Sequence, residues 1–188
     1  MERELNIRDI AGFCPEEAVW KMIADVSEVL LTDGAVYVLS PESIGVVGNS
    51  FIVESNEQPE DEFMAPEQEG NQASMRTQMV WTLGAIAYYM ATGHVVFGGH
   101  GGKYQKDHPS VSLPVLPKVQ QALTPVLHRC LCEAPDGRIS MDELNIVAKQ
   151  GLKSCSCRQR ERLQSVQSDN YSQKKYQGEK WPEEMVEI

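Results

Sequence analysis

Residues 77–92 have the sequence TQMVWTLGAIAYYMAT, in which apolar side chains occupy most positions. A helix that is apolar nearly all round is buried on all sides, so this stretch predicts a central, fully buried helix that Gly93 terminates. A bilayer span requires roughly 20 consecutive apolar residues. This stretch is shorter, and Thr82 and Gly84 interrupt it. We therefore expect a soluble domain built around this helix, with no transmembrane segment.

The composition is that of an ordinary globular protein with one sizeable core. The chain has 188 residues, of which 41% are apolar and 23% are charged, and its 17 basic and 27 acidic side chains give a net charge of −10. Because nucleic-acid binding requires clustered positive charge, we expect no nucleic-acid partner. The N-terminal residues MEREL lack the apolar region of a signal peptide, which favours a cytoplasmic location.

The five cysteines fit a reducing compartment. They include two C-x-C pairs, Cys130/Cys132 and Cys155/Cys157. Structural zinc sites usually separate paired cysteines by about two to four residues. We therefore expect no metal, with Cys130 buried on a helix as a small apolar side chain.

Charge and composition divide the chain near residue 151. Residues 153–188 hold seven Lys or Arg and six Asp or Glu, so residues 1–152 hold the other 10 basic and 21 acidic side chains, a net charge of −11. The C-terminal part has few large apolar groups to offset the entropy of ordering. We expect a domain over 1–151 and a polar tail over 152–188 that extends as a solvated helix.

Apolar residues three and four apart, and stretches bounded by Gly, Pro, Asn or Ser, predict the other elements. In chain order they are a helical turn (6–13), a long helix (15–33), three extended segments (36–39, 44–47 and 51–54), an acidic loop (54–62), a flexible glycine-rich loop (98–102), an amphipathic helix (116–132) and a final helix (141–149). Gly48 and Asn49 form the turn of a hairpin. Ser140 caps the final helix, with Glu143 at the capping-box position. The predicted fold class is mainly α with a small β-hairpin.

Five short motifs occur in an order that resembles the C-terminal lobe of a protein kinase. They are Leu39–Ile44 (LSPESI), similar to the catalytic loop; Met64–Glu67 (MAPE), similar to the end of the activation segment; Val80–Gly84 (VWTLG), similar to the central helix; Ala91–Gly93 (ATG); and Arg138–Ser140 (RIS). No Gly-rich loop and no strand-borne lysine of the kinase N-terminal lobe precedes the first long helix. The resemblance implies a protein-kinase-like C-terminal lobe lacking the N-terminal lobe.

A narrower resemblance covers residues 3–150. Leu5–Ile10 (LNIRDI) and Pro15–Trp20 (PEEAVW) are similar to the opening of kinase non-catalytic C-lobe (KIND) domains, which begin with such a turn and a Glu-x-x-x-Trp helix. KIND domains do not phosphorylate, and known examples bind peptide segments of partners in actin nucleation and signalling scaffolds. The resemblance implies a pseudokinase that acts by protein binding.

The same resemblance locates the positions at which kinases carry catalytic groups. Val38 stands at the position of the catalytic Asp, Ser40 at that of the Lys, and Ser43 at that of the metal-binding Asn. Glu54 stands at the Asp of the Asp-Phe-Gly motif, and Met79 replaces an Asp that braces the catalytic loop. Phosphoryl transfer depends on these groups, so we expect no enzyme activity, no nucleotide and no cofactor.

Two residues retain their structural role in this resemblance. Glu67 and Arg138 correspond to a kinase ion pair that ties the activation segment to the last helices of the lobe. We expect them to form the same ion pair here.

We therefore predict a catalytically inactive module that binds a basic peptide or helix of a protein partner in signalling or cytoskeletal scaffolding. The candidate partner-binding residues are the acidic side chains Glu54, Glu57, Glu60, Asp61 and Glu62. Two alternatives stay open. One is the lower lobe of a protein kinase completed or regulated in trans; the other is a generic helical adaptor, which would lack a helix through its centre at 77–92.

Overall fold

The structure is a computed structural model that describes residues 5–12, 14–33, 38–54, 58–67, 75–113 and 115–177, with the backbone alone for Val119 and residues 161–177. The described α-helices are α1 (Ile7–Ile10), α2 (Glu16–Thr32), α3 (Met75–Thr92), α4 (Gly101–Asp107), α5 (Thr124–Cys130) and α6 (Met141–Gln177), and the strands are β1 (Leu5–Asn6), β2 (Ile44–Val47) and β3 (Ser50–Val53). Short 3₁₀ segments lie at 61–63, 96–99, 118–123 and 135–137. The described residues are mainly helical, with a small three-stranded antiparallel sheet.

The predicted hairpin is present. Strands β2 and β3 pair antiparallel, with Ile44 opposite Val53, and Gly48 in the turn takes a positive φ of 60°, which glycine adopts without steric cost. Strand β1 was not expected; it has only two residues and exists by pairing with the edge of β2. Of the predicted extended segment 36–39, the first two residues lie outside the described part, and the last two are not in a strand.

Helix α2 packs its apolar face against α3 and β3. Asp25 on this helix accepts a hydrogen bond from the backbone N–H of Phe51 (3.0 Å) and pairs with Lys21 (2.5 Å). Phe51 lies in β3, at the edge of the sheet. Its N–H binds Asp25 instead of β2, so Asp25 satisfies a backbone donor that an edge strand usually leaves unpaired. One carboxylate thus attaches the sheet to the helix.

Helix α3 is the buried centre that the sequence predicts. It ends at Thr92, as expected, and Trp81, Leu83 and Ile86 have no exposed surface. At Gly84 a Cβ would lie 2.5 Å from the Cβ of Cys130, so glycine allows α3 and α5 to approach closely. The presence of this helix argues against the generic helical adaptor.

The prediction of a flexible loop over 98–102 is wrong. The first two of these glycines belong to a 3₁₀ segment and the last two begin α4. Gly101 and Gly102 are buried, because the backbone here passes directly against 61–66, and a Cβ at Gly102 would collide with Pro66. The glycines allow close packing of the backbone. A glycine-rich composition alone does not show whether a segment is closely packed or mobile.

The prediction of a single helix over 116–132 is also wrong. The structure has a 3₁₀ segment over Lys118–Leu123 followed by the separate helix α5. Pro125 lies in the first turn of α5, where its missing N–H leaves no hydrogen bond unmade. The proline therefore begins a helix instead of lying inside one.

The last helix starts as predicted and ends much later. The Ser140 hydroxyl accepts a hydrogen bond from the N–H of Glu143 (3.2 Å), while the Glu143 carboxylate pairs with Arg129 instead of completing a capping box. Helix α6 continues past the predicted end at 149, because residues 152–177 contain no Gly or Pro to stop it. The expected helical extension of the tail is thus present.

The chain divides into two compact units, residues 1–152 and residues 153–188. The boundary predicted from the sequence, between residues 151 and 152, lies one residue earlier. In the part of the chain that the structure describes, no helix combines the length and the apolarity needed to span a membrane.

Candidate functional site

Ser40 and Ser43, which the sequence predicts to be degenerate catalytic positions, lie in a turn that precedes β2. Both residues are buried, with 0% and 2% of their surface exposed. The Ser43 hydroxyl accepts a hydrogen bond from the N–H of Ser40 (2.9 Å) and donates one to the carbonyl oxygen of Ser40 (2.9 Å). The N–H of Ser43 lies 3.2 Å from the Ser40 hydroxyl oxygen. The two serines are therefore hydrogen-bonded to each other through both their side chains and their backbone.

The other two residues predicted as degenerate positions, Val38 and Glu54, flank this turn. Val38 is partly buried and has no titratable group. The N–H of Glu54 donates to the carbonyl oxygen of Ser43 (2.8 Å), which ties the end of the hairpin to the turn, and the Glu54 side chain is exposed. The structure thus brings Ser40, Ser43 and Glu54 into one hydrogen-bonded unit, with one carboxylate among them.

A cavity of about 60 Å³ lies beside the turn, against α3. Its walls are largely apolar and include Val38, Leu39, Met64 and Met79. Pockets that bind cofactor-sized molecules measure about 300–1,000 Å³, so this cavity is too small for a nucleotide. Within the described residues, no three His, Cys, Asp or Glu side chains are grouped as metal ligands would be.

Glu67 and Arg138, the two residues expected to pair, form a bidentate ion pair. The two terminal nitrogens of Arg138 lie 2.5 and 2.7 Å from the two carboxylate oxygens of Glu67. The Arg138 side chain has 0% exposure and the Glu67 side chain 13%. The guanidinium also donates to the carbonyl oxygens of Cys132, Glu133 and Thr77, at 2.7, 2.8 and 3.1 Å. All five N–H donors of an arginine are therefore used.

The thiol of Cys130 lies at the contact between α5 and α3. Burial raises the pKa of this thiol to about 12. It is therefore protonated at neutral pH, in the form that is neither a nucleophile nor a metal ligand. Cys130 acts as a small packing group between the two helices.

Three of the predicted partner-binding residues share one short 3₁₀ turn. Asp61 and Glu62 begin the turn and Glu60 precedes it; Asp61 is exposed, while Glu60 and Glu62 are partly exposed. Glu54 lies at the end of β3, and Glu57 lies outside the described residues. The structure thus places a compact acidic turn, residues 60–62, at the start of the segment that leads to Glu67.

A second cavity, of about 290 Å³, borders the acidic turn. Asp61, Met64 and Pro66 line one part of it, and His100 and Lys103 of the α4 region line another. The contribution of His100 and Lys103 could not be predicted from a flexible loop over 98–102. The four-residue spacing of aromatic rings from His100 onward was the available signal for a helix there.

Aromatic rings stack along α4 beside this cavity. The rings of His100 and Tyr104 have centroids 6.2 Å apart, and those of Tyr104 and His108 are 4.0 Å apart, with planes within 20° of parallel. Phe97 continues the stack towards the buried Trp81 and has a positive φ of 53°, which is uncommon for a residue with a side chain. These contacts hold the start of α4 in place.

Sequence reasoning also missed Arg8, which contacts the acidic turn. Its guanidinium hydrogen-bonds with Glu60 and pairs with Glu42 at 3.2 Å. No local pattern could reveal these contacts, because Glu60 lies 52 residues away in the chain.

No protein-family model matches this chain, and no curated protein matches it.

Proposed function

We propose that this chain is a catalytically inactive, kinase-C-lobe-like module of the KIND type that binds a basic peptide or helix of a partner protein in signalling or cytoskeletal scaffolding. The turn at Ser40 and Ser43 carries the proposal. In a kinase, side chains at these positions must contact the phosphates, the metal or the acceptor. Here they are buried and hydrogen-bonded within their own turn, which supports a scaffold role over phosphoryl transfer.

Two further features support the loss of catalysis. Val38 has no carboxylate to offer an acceptor hydroxyl, and Met79 lines a cavity of about 60 Å³ beside the turn. By contrast, the bidentate Glu67–Arg138 pair is kept in a buried setting. A chain that keeps such a structural contact while lacking the charged groups of the reaction fits a module retained for its shape.

The acidic turn 60–62 is the surface we assign to the partner. The net charge of −11 over residues 1–152 attracts basic segments and accelerates their encounter at low salt. Asp61 is exposed, and the adjoining cavity of about 290 Å³ has room for a side chain of the partner. This surface therefore suits a partner segment in which basic residues lie next to an apolar or aromatic residue.

A binding experiment with simple cationic probes tests this assignment. We expect nona-lysine and nona-arginine peptides to bind the full chain in calorimetry at low salt and to weaken steeply as salt screens the charges. The double variant Asp61→Lys/Glu62→Lys should lose this binding. The control Asp136→Lys/Asp142→Lys, which changes the same charge at two exposed positions, should retain most of it. Equal losses in both variants would contradict a localised site.

A second experiment tests the absence of nucleotide binding. Because a ligand that binds only the folded state raises its melting temperature, ATP with magnesium should leave the melting temperature of the chain unchanged. A clear, magnesium-dependent increase would contradict the proposal and would favour a kinase lobe completed in trans.

A further inference from the structure

The acidic turn 60–62 and Glu42, here together called the acidic surface, already bind a basic group of the same chain. Arg8, on the short helix α1, places its guanidinium between two carboxylates from different parts of the chain. Its Nε lies 3.2 Å from a carboxylate oxygen of Glu42, and a terminal nitrogen hydrogen-bonds with Glu60. An occupied position of this kind differs from an ordinary acidic cluster, because it shows which chemical group the two carboxylates accommodate.

The backbone around Arg8 is anchored without the help of its side chain. Ile7 is completely buried, and its N–H donates to the carbonyl oxygen of Pro41 (3.2 Å). Asn6 caps α1 by accepting a hydrogen bond from the N–H of Arg8 (3.0 Å), and Asp9 accepts one from the N–H of Asn6 (3.1 Å). The guanidinium can therefore leave the carboxylates while α1 and β1 stay in place.

Solvent reaches both ion pairs of Arg8, more freely at Glu42 than at Glu60, so the pairs can be exchanged. The side chains of Arg8, Glu42 and Glu60 are 38%, 56% and 24% exposed. Exposed ion pairs contribute little to stability because water and salt screen them. A cationic side chain from another protein can replace Arg8 at small cost.

The geometry also discriminates between cationic side chains. Arg8 reaches the two carboxylates from two different nitrogens of one planar group, which a guanidinium does well and the single ammonium of lysine does less well. We propose that Arg8 is an internal competitor for the acidic surface, and that an arginine of the partner takes its place between Glu42 and Glu60. This inference rests on the proposed function and specifies the partner as arginine-containing.

The test compares Arg8→Gln with Arg129→Gln in the full chain. Arg129 forms an exposed pair with Glu143, so its replacement removes the same charge and a similar contact elsewhere. With nona-arginine as the probe, we expect Arg8→Gln to bind about two- to fivefold more tightly than the unmodified chain. Arg129→Gln should change affinity much less, and the double variant Arg8→Gln/Glu60→Gln should lose the gain. The gain should be smaller for nona-lysine.

The outcomes separate this inference from the proposed function. If nona-arginine binding depends on Asp61 and Glu62 but Arg8→Gln binds no more tightly than Arg129→Gln, the competitor is disproved and the binding function stands. If Arg8→Gln binds more tightly although Asp61→Lys/Glu62→Lys has no effect, the competitor stands and the assigned surface is wrong. If neither the unmodified chain nor Arg8→Gln binds the probe, both are disproved.

Discussion

Arg138 shows how one side chain connects distant parts of this chain. Its guanidinium donates five hydrogen bonds, two to the carboxylate of Glu67 and three to backbone carbonyl oxygens at 77, 132 and 133. The group is fully enclosed, so its charge depends on the carboxylate for compensation. Removing the carboxylate leaves a buried charge whose desolvation is not offset.

Glu67→Gln should therefore destabilise the protein strongly. We expect the free energy of unfolding to fall by about 3–5 kcal/mol, the range for breaking one partner out of a buried pair, as measured by urea denaturation. The matched control is Glu143→Gln, which removes a carboxylate from the exposed Arg129 pair and should cost less than about 1 kcal/mol. Similar losses in the two variants would mean that Arg138 is compensated by its carbonyl contacts alone.

Among the secondary-structure elements, the crossing of α3 and α5 depends on the absence of a side chain. A Cβ at Gly84 would lie 2.5 Å from the Cβ of Cys130, much closer than two carbon atoms can approach without repulsion. The glycine is also part of the VWTLG sequence at the centre of α3. Its place there is explained by helix packing.

Gly84→Ala should destabilise the protein by about 1–3 kcal/mol, the usual cost of overpacking a core. The direction is informative, because Gly→Ala inside an unobstructed helix stabilises by about 1 kcal/mol. Thermal and urea unfolding measure the effect. Adding Cys130→Gly, which removes the opposing Cβ, should recover part of the loss; a double variant whose losses simply add would contradict the contact.

The elements differ in how far local sequence could predict them. Helices α2 and α3 and the β2–β3 hairpin follow from apolar spacing and from the Gly48 turn, and all three are present. Helix α4 does not, because its glycines are there to pack against residues 61–66, a segment about 40 residues earlier in the sequence. Strand β1 likewise needs the edge of β2, which local propensity cannot supply.

On the scale of the whole molecule, the net negative charge lies in the first unit. Residues 1–152 carry −11, whereas residues 153–188 carry +1. The second unit has few large apolar side chains, chiefly Leu163, Val166, Trp181, Met185, Val186 and Ile188. Such a segment has little area with which to stabilise a core.

Ending the chain at residue 152 should therefore change the melting temperature by no more than about 4 °C, the effect of about 1 kcal/mol in a domain of this size. Circular dichroism during heating measures it. A chain ending at residue 140 is the contrasting variant: it loses the buried Leu144 and Ala148 and should fail to unfold cooperatively. A decrease of more than ten degrees on ending at 152 would mean that later residues belong to the core.

Some residues of the candidate site are neighbours in the sequence, whereas others come from distant parts of the chain. The acidic residues Glu60, Asp61 and Glu62 are adjacent in sequence, so their grouping could be predicted. The partners that shape their surroundings, Arg8 and His100, come from about 50 residues before and 40 residues after. A sequence pattern within one helix or turn cannot predict contacts between residues so far apart in the chain.

The amino-acid sequence by itself determined the buried helix over 77–92, the hairpin and the separation of a charged tail. These follow from the periodicity and the chemistry of neighbouring residues. Tertiary structure alone decided that the glycines at 101 and 102 are packed, that Ser40 and Ser43 are buried, and that Arg8 lies between Glu42 and Glu60. Each of these depends on a contact between segments far apart in the chain, and the free energy of such contacts is not present in any local stretch of sequence.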